Sequence, residues 1–270
     1  MISEASFQKK FENDVKRVDR RLASYVKSPS EGNIHDVRTA IRRLESTSRI
    51  LSKGLRKGKL SRYLSLCKKF FKINTELRDI DIIRAKLSRY TELRAEKRVF
   101  ALLERRRERL LMRSTKMAAK IESSESKLDT SRLREAKLQR RFDKVVSKLN
   151  GKMQSFLPLV LGDPKNIEEL HLLRKTCKRL RYMLEIDPTR EGFPASIDLL
   201  RKWQDMLGGI HDSDIVIDFL VSLKGPKSVA DVLSKERNNR SLAYKEFVSL
   251  FRNGNYAAVL HSPGAISVPS

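Results

Sequence analysis

Apolar residues recur along this chain every three or four positions, and sustained period-two alternation is hard to find. That pattern predicts helices over 4–27, 33–53, 58–76 and 79–90, the last running on or breaking into 91–124. Further helices follow over 130–157, 166–186, 192–208, 212–223 and 227–252. Proline is missing between positions 30 and 157, whereas Pro158, Pro164, Pro188, Pro194 and Pro226 punctuate the second half. Asn33 followed by Asp36, and Asn166 followed by Glu169, read as helix starts with an acidic third residue. The segment after Asn253 holds Gly, Pro and Ser without periodicity and is expected to be irregular.

One signature occurs twice. His35-Asp-Val-Arg38-Thr-Ala-Ile-Arg42-Arg43-Leu44 returns as His171-Leu-Leu-Arg174-Lys-Thr-Cys-Lys178-Arg179-Leu180. A second shared block follows each copy, with Leu77-Arg78-Asp79-Ile-Asp81-Ile82 matching Ile210-His211-Asp212-Ser-Asp214-Ile215. Ahead of it, Lys68-Lys69 matches Arg201-Lys202. The preserved order makes internal duplication the economical explanation. It divides the chain into a first repeat over 1–126, a second over 127–252 and a tail over 253–270, with Ser123-Ser124-Glu125-Ser126 and Asp129-Thr130-Ser131 at the junction. The expected fold is all-α: two bundles of about four helices, each helix burying one stripe.

Charge sharpens the picture. The 270 residues include 58 Lys and Arg against 33 Asp and Glu, a formal net charge of +25 with a pI near 10.3. Such an excess goes beyond what solubility needs and points to a polyanion: nucleic acid, inorganic polyphosphate or an anionic membrane surface. On a helical wheel His35, Arg38, Arg42, Ser46 and Arg49 gather on one side, and Val37, Ile41, Leu44, Ser48 and Leu51 on another. The second copy gathers His171, Arg174, Lys178, Arg181, Tyr182 and Glu185 opposite Leu173, Cys177, Leu180 and Leu184. Each helix can bury its apolar stripe and still present cations about one turn apart. Arginine forks two oxygens, while lysine acts as a point charge. A ladder of this kind suits a linear polyphosphate better than one phosphate group. A solvated basic face is the ordinary fate of one such helix; two copies in register reverse that preference.

The candidate polyphosphate-binding set is therefore His35, Arg38, Arg42, Arg43, Arg49, Lys68, Lys69 and Lys72 in the first repeat. In the second it is His171, Arg174, Lys178, Arg179, Arg181, Arg201 and Lys202. Asp79 and Asp212 are read as caps of following helices or as partners orienting an arginine. A divalent metal held by His171, His211, Asp212 and Asp214 is the alternative, but Arg78 stands where the other copy has His211, and arginine is not a metal ligand. No catalytic residue, metal or cofactor is assigned. Phosphates would stabilise protonated His35 and His171, so binding should tighten in mild acid. Cys67 and Cys177 belong to no Cys-x-x-Cys pair and read as buried thiols of a reducing compartment. With no apolar leader and no stretch of spanning length, the reading is cytoplasmic.

These motifs resemble the CHAD family, all-helical domains named for their histidines. The resemblance rests on His35, Arg38, Arg42, Arg43 and Arg78-Asp79-Ile-Asp81-Ile82, then His171, Arg174, Lys178, Arg179, Leu180, Arg181, Tyr182 and Glu185. Trp203-Gln204-Asp-Met-Leu207-Gly208 and Asp212 complete it, so that it covers roughly residues 5–252. It implies two antiparallel four-helix bundles related by a pseudo-twofold axis around a basic channel. It also implies non-catalytic binding of inorganic polyphosphate there, with association to polyphosphate granules. The Glu-x-Glu-x-Lys start of the triphosphate-cleaving tunnel domains fused to some members is absent, so a stand-alone binding module is expected. Glu45, and Thr75-Glu76 in place of Gly208-Gly209, depart from the family pattern and suggest a weaker first repeat. Nonspecific nucleic-acid binding is the next reading, although no zinc finger, RNP motif or recognition helix is present.

Overall fold

A computed structural model describes residues 2–93, 97–124, 126, 128, 133–223 and 227–253. All regular structure among them is helical. In chain order the helices are α1 (Glu4–Lys27), α2 (Glu31–Ile50), α3 (Gly58–Leu87), α4 (Lys97–Glu122), α5 (Glu135–Gly162), α6 (Ile167–Leu184), α7 (Phe193–Ser222) and α8 (Lys227–Asn253), with a 3-10 turn at Thr91–Leu93. Contacts divide the chain into a first unit, Met1–Leu138, and a second, Gln139–Ser270. The expected tail beyond Asn253 and most of the expected junction lie outside the described residues.

The first unit is a four-helix bundle. Helix α2 packs on α1 and α3, and α4 packs on α3 and α1, so α2 and α4 occupy diagonal corners. Phe7, Phe11, Val18, Leu22 and Tyr25 form the buried stripe of α1, and Ile34, Val37, Ile41 and Leu44 that of α2. Each large apolar side chain fully withdrawn from water contributes about 1.5–3 kcal/mol before its ordering cost. Polar clamps fix the register between helices. Asp14 of α1, 1% exposed, accepts from Lys10 Nζ and, across 2.6 Å, from Thr47 Oγ1 of α2. Asn74 Nδ2 of α3 donates to Ser114 Oγ of α4 at 2.8 Å.

In the second unit α7 packs between α6 and α8. Tyr244 of α8 donates to the Val160 carbonyl of α5 at 2.7 Å, and Cys177 of α6 lies against Met153 of α5. Trp203, fully buried, anchors the centre against Phe251.

Several expected boundaries differ. Helix α3 does not break at 76–79, because Ile73, Leu77, Ile80 and Ile83 carry one buried stripe straight through. Helix α7 likewise continues through Gly208-Gly209, where Leu207 and Ile210 on either side are wholly buried. That burial outweighs the roughly 1 kcal/mol each glycine costs a helix interior. Helix α5 passes Pro158 and ends at Gly162, its last turn held by the Tyr244 bond and by Asn166 Nδ2 donating to the Leu159 carbonyl. At the start of α7 the chain adopts φ 77° at Gly192, a left-handed conformation that glycine alone enters without strain.

Candidate functional site

The site elements are the starts and middles of α2 and α6. Helix α2 begins one turn earlier than expected: Ser30 is the N-cap, its Oγ accepting from the Asn33 amide at 3.2 Å. Asn33 instead sends Nδ2 to the Ser28 carbonyl at 2.7 Å, and Asp36 pairs with Arg21 of α1. Asn166 does occupy the N-cap position of α6 but makes no capping side-chain bond.

Along α2, His35 is exposed while Arg38, Arg42, Arg43 and Arg49 are half-buried. The guanidinium carbon of Arg42 stands 4.0 Å from the centre of the Phe71 ring of α3, and that of Arg38 stands 5.2 Å from it. The electron-rich ring face holds both cations without neutralising them. Phe71 was not among the expected site residues; its spacing from Phe70 on an otherwise lysine-rich helix was the available signal. Glu45 accepts from Arg42 Nη1 at 3.1 Å and from Arg49 Nη2 at 2.8 Å, offsetting part of this positive face.

Along α6, His171, Arg174, Lys178, Arg179 and Arg181 are half-buried. Arg181 donates from Nε to Gln204 Oε1 at 3.0 Å and from Nη1 to Glu185 at 2.6 Å, and its guanidinium lies 4.5 Å from the Tyr182 ring centre. Arg181 is thus engaged on three sides by its own unit. Lys68, Lys69, Lys72, Arg201 and Lys202 are exposed on α3 and α7, and Arg201 pairs with Asp198.

Asp79 and Asp212 are not helix caps. Both lie inside long helices, α3 and α7, because neither helix breaks where a cap was expected. Two residues further on in each helix lies a buried aspartate that bridges to the fourth helix of its unit. Asp81, fully buried, accepts from Arg107 Nε of α4 at 2.8 Å, and Arg107 Nη2 reaches the Pro29 carbonyl ahead of α2. In the second unit Asp214, 4% exposed, accepts on Oδ1 from Arg240 Nε of α8 and on Oδ2 from His171 Nε2 at 2.8 Å. In each unit an aspartate of the third helix pairs with an arginine of the fourth; the first pair reaches the backbone just ahead of α2, and the second meets α6 at His171.

The His171 ring also meets His211 Nδ1, 3.1 Å from its Nε2. Burial pushes the Asp214 carboxyl up, but hydrogen bonds and positive charge from His171 and Arg240 outweigh that and hold it below the usual carboxylate range. An ionised carboxylate only accepts, so the proton sits on His171 Nε2, and His211 presents an unprotonated Nδ1 to it. Burial and the nearby Arg174 and His171 push His211 down to about 3, so it is neutral at ordinary pH. Among the described residues no group of three or more His, Cys, Asp or Glu is placed to hold a metal ion. Buried Cys67 and Cys177 have thiols pushed up by burial to about 12. No described helix is long and apolar enough to cross a membrane.

The crystal structure of the CHAD domain from the plant Ricinus communis superposes with a TM-score of 0.59 at 15% identity, covering 95% of this chain and 89% of that one. At that identity the likeness speaks for the fold alone. No curated protein matches the sequence. The CHAD domain family matches residues 10–221, which takes in both ladders, Asp81 with Arg107, and Asp214. This chain belongs to the CHAD family.

Proposed function

We propose that this protein binds inorganic polyphosphate without chemically altering it, through the cationic faces of α2 and α6. The observation that carries this reading is the duplication of one device. Each face offers Arg or Lys one helical turn apart, Arg38 and Arg42 in one unit and Arg174 and Lys178 in the other. Beside the start of each face lies a buried aspartate–arginine pair, linked to the Pro29 carbonyl ahead of α2 and to His171 of α6. Fixed cations cost less ordering on binding than mobile surface ones.

Polyphosphate carries dense charge and no bases, so it requires cations and no stacking platform. The rings beside the ladders fit that requirement: Phe71 is occupied by Arg38 and Arg42, and Tyr182 by Arg181. The first face binds less strongly, since Glu45 neutralises part of it. Granule association and a cytoplasmic setting follow as part of the same proposal.

The test is a competition titration of long-chain polyphosphate against duplex DNA and single-stranded RNA at matched ionic strength. The reading expects polyphosphate to displace both, with affinity falling steeply as salt rises. Preferential retention of nucleic acid would replace it with the nucleic-acid reading.

A further inference from the structure

A second cationic surface lies outside the duplicated ladders, on α4. At 100° per residue, Arg98, Arg105, Arg109, Arg113, Lys116 and Lys120 fall within one arc of about 100°, and Arg106 falls at its edge. All seven are exposed. None forms an ion pair with a described residue. The acidic residues of the helix lie off the arc, and Glu104 is bound to Arg84 of α3. From Arg98 to Lys120 the stripe runs about 33 Å at 1.5 Å per residue. Leu102, 42% exposed, sits within it, and Met112, 61% exposed, beside it.

The second unit supplies an internal reference. Arg107 and Arg240 make the same buried pair, each 26 residues after its aspartate, which fixes the register of α4 on α8. In that register Arg98, Arg105, Arg106, Arg109, Arg113 and Lys116 fall on Asp231, Asn238, Asn239, Leu242, Glu246 and Ser249, all exposed, while Leu102 and Met112 fall on the exposed Lys235 and Lys245. A charge excess that merely followed overall composition would appear on both helices. Of these two helices, α4 carries it and α8 does not.

We infer that the outer face of α4 is a docking surface for an anionic lipid bilayer. Four to eight Lys or Arg on one amphipathic helix are enough to hold a protein at such a surface. Shape favours a bilayer over a nucleic-acid duplex. A duplex turns fully in about 34 Å, so each phosphate strand winds away from a straight stripe of this length. A flat headgroup layer meets the whole stripe at once. Leu102 and Met112 give that layer apolar contacts which a bare phosphate chain could not use. This surface is independent of the α2 and α6 ladders.

The experiment measures co-sedimentation of the full chain with vesicles of phosphatidylcholine containing phosphatidylglycerol. It compares Arg105→Glu/Arg109→Glu/Arg113→Glu on α4 with Lys144→Glu/Lys148→Glu/Lys152→Glu on the exposed face of α5, which changes net charge equally. The α4 triple variant is expected to weaken vesicle binding at least tenfold. The α5 variant should weaken it less than threefold, and both should keep polyphosphate affinity within about threefold of the parent. The corresponding Arg→Gln triple on α4 repeats the measurement without like-charge repulsion, should the glutamates lower helicity. Equal losses from the two triples would show that net charge alone governs adsorption and would overturn the inference. So would an α4 triple that keeps vesicle binding while losing affinity for duplex DNA or polyphosphate.

Discussion

Arg107 donates from Nε to Asp81 Oδ1 across 2.8 Å, joining α4 to α3 at a carboxylate with no exposure to water. The second unit repeats the bond with Arg240 and Asp214, at the same separation of 26 residues. Removing one partner leaves a buried charge unpaired, which typically costs 3–5 kcal/mol. Arg107→Ala and Arg240→Ala should each lower stability by roughly 3 kcal/mol in chemical denaturation. Asp81→Asn/Arg107→Met should recover part of that loss, because it removes both charges together.

The aspartates also show what the sequence could and could not reveal. The His-x-x-Arg helices were legible because their apolar and basic positions each recur at helical spacing, so duplication and amphipathicity pointed the same way. Asp79 and Asp81 both stood out as repeated carboxylates, yet only the continuity of α3 decides between them. Spacing alone placed a break before Asp79; the buried stripe of Leu77, Ile80 and Ile83 removes that break and turns Asp81 inward. Arg107 is one of three consecutive arginines, and nothing local singles it out, because its partner lies 26 positions away on another helix. The start of α2 was misplaced by one turn because Ser30 and Asn33 are both good capping residues, and only the fold chooses Ser30.

His211 governs a pH response of the second unit. Its folded value of about 3 lies below the ordinary 6.5, so the unfolded chain binds the extra proton first. Stability should therefore fall as pH drops from about 6.5 toward 3, and be unaffected by this group above that window. Thermal melts of His211→Gln across this range should show a shallower acid slope than the parent. An unchanged slope would mean that other groups carry the response.

Burial is the main cause of the low His211 value and the positive charge of Arg174 the next, and polyphosphate at α6 would screen that charge. Binding should then take up protons in mildly acidic solution. Calorimetry in two buffers of different ionisation enthalpy measures that uptake directly, and His211→Gln should reduce it. Such a reduction would place a proton-linked group at His211, in addition to the two histidines of the repeated signature.

Glu45 restrains the first ladder through Arg42 and Arg49. Glu45→Gln removes a partly exposed carboxylate whose pairings contribute about 0.5–1 kcal/mol. Polyphosphate affinity should rise about two- to five-fold, with little change in melting temperature. A loss of affinity would mean that Glu45 orders the arginines more than it neutralises them.

Both cysteine thiols are buried with values raised to about 12, so neither supplies thiolate near neutrality. A thiol-specific reagent should label Cys67 and Cys177 only as fast as the native protein opens. Rapid labelling of either residue in the folded state would contradict its placement.

The most direct measurement is the polyphosphate affinity of Arg38→Ala/Arg174→Ala at moderate salt, alongside a circular dichroism melt. Charge-assisted hydrogen bonds contribute about 1.5–3 kcal/mol each, so removing one arginine from each face predicts a drop on the order of a hundredfold or more. Helicity should be retained. A double variant that stays folded and binds polyphosphate as tightly as the parent would contradict the account.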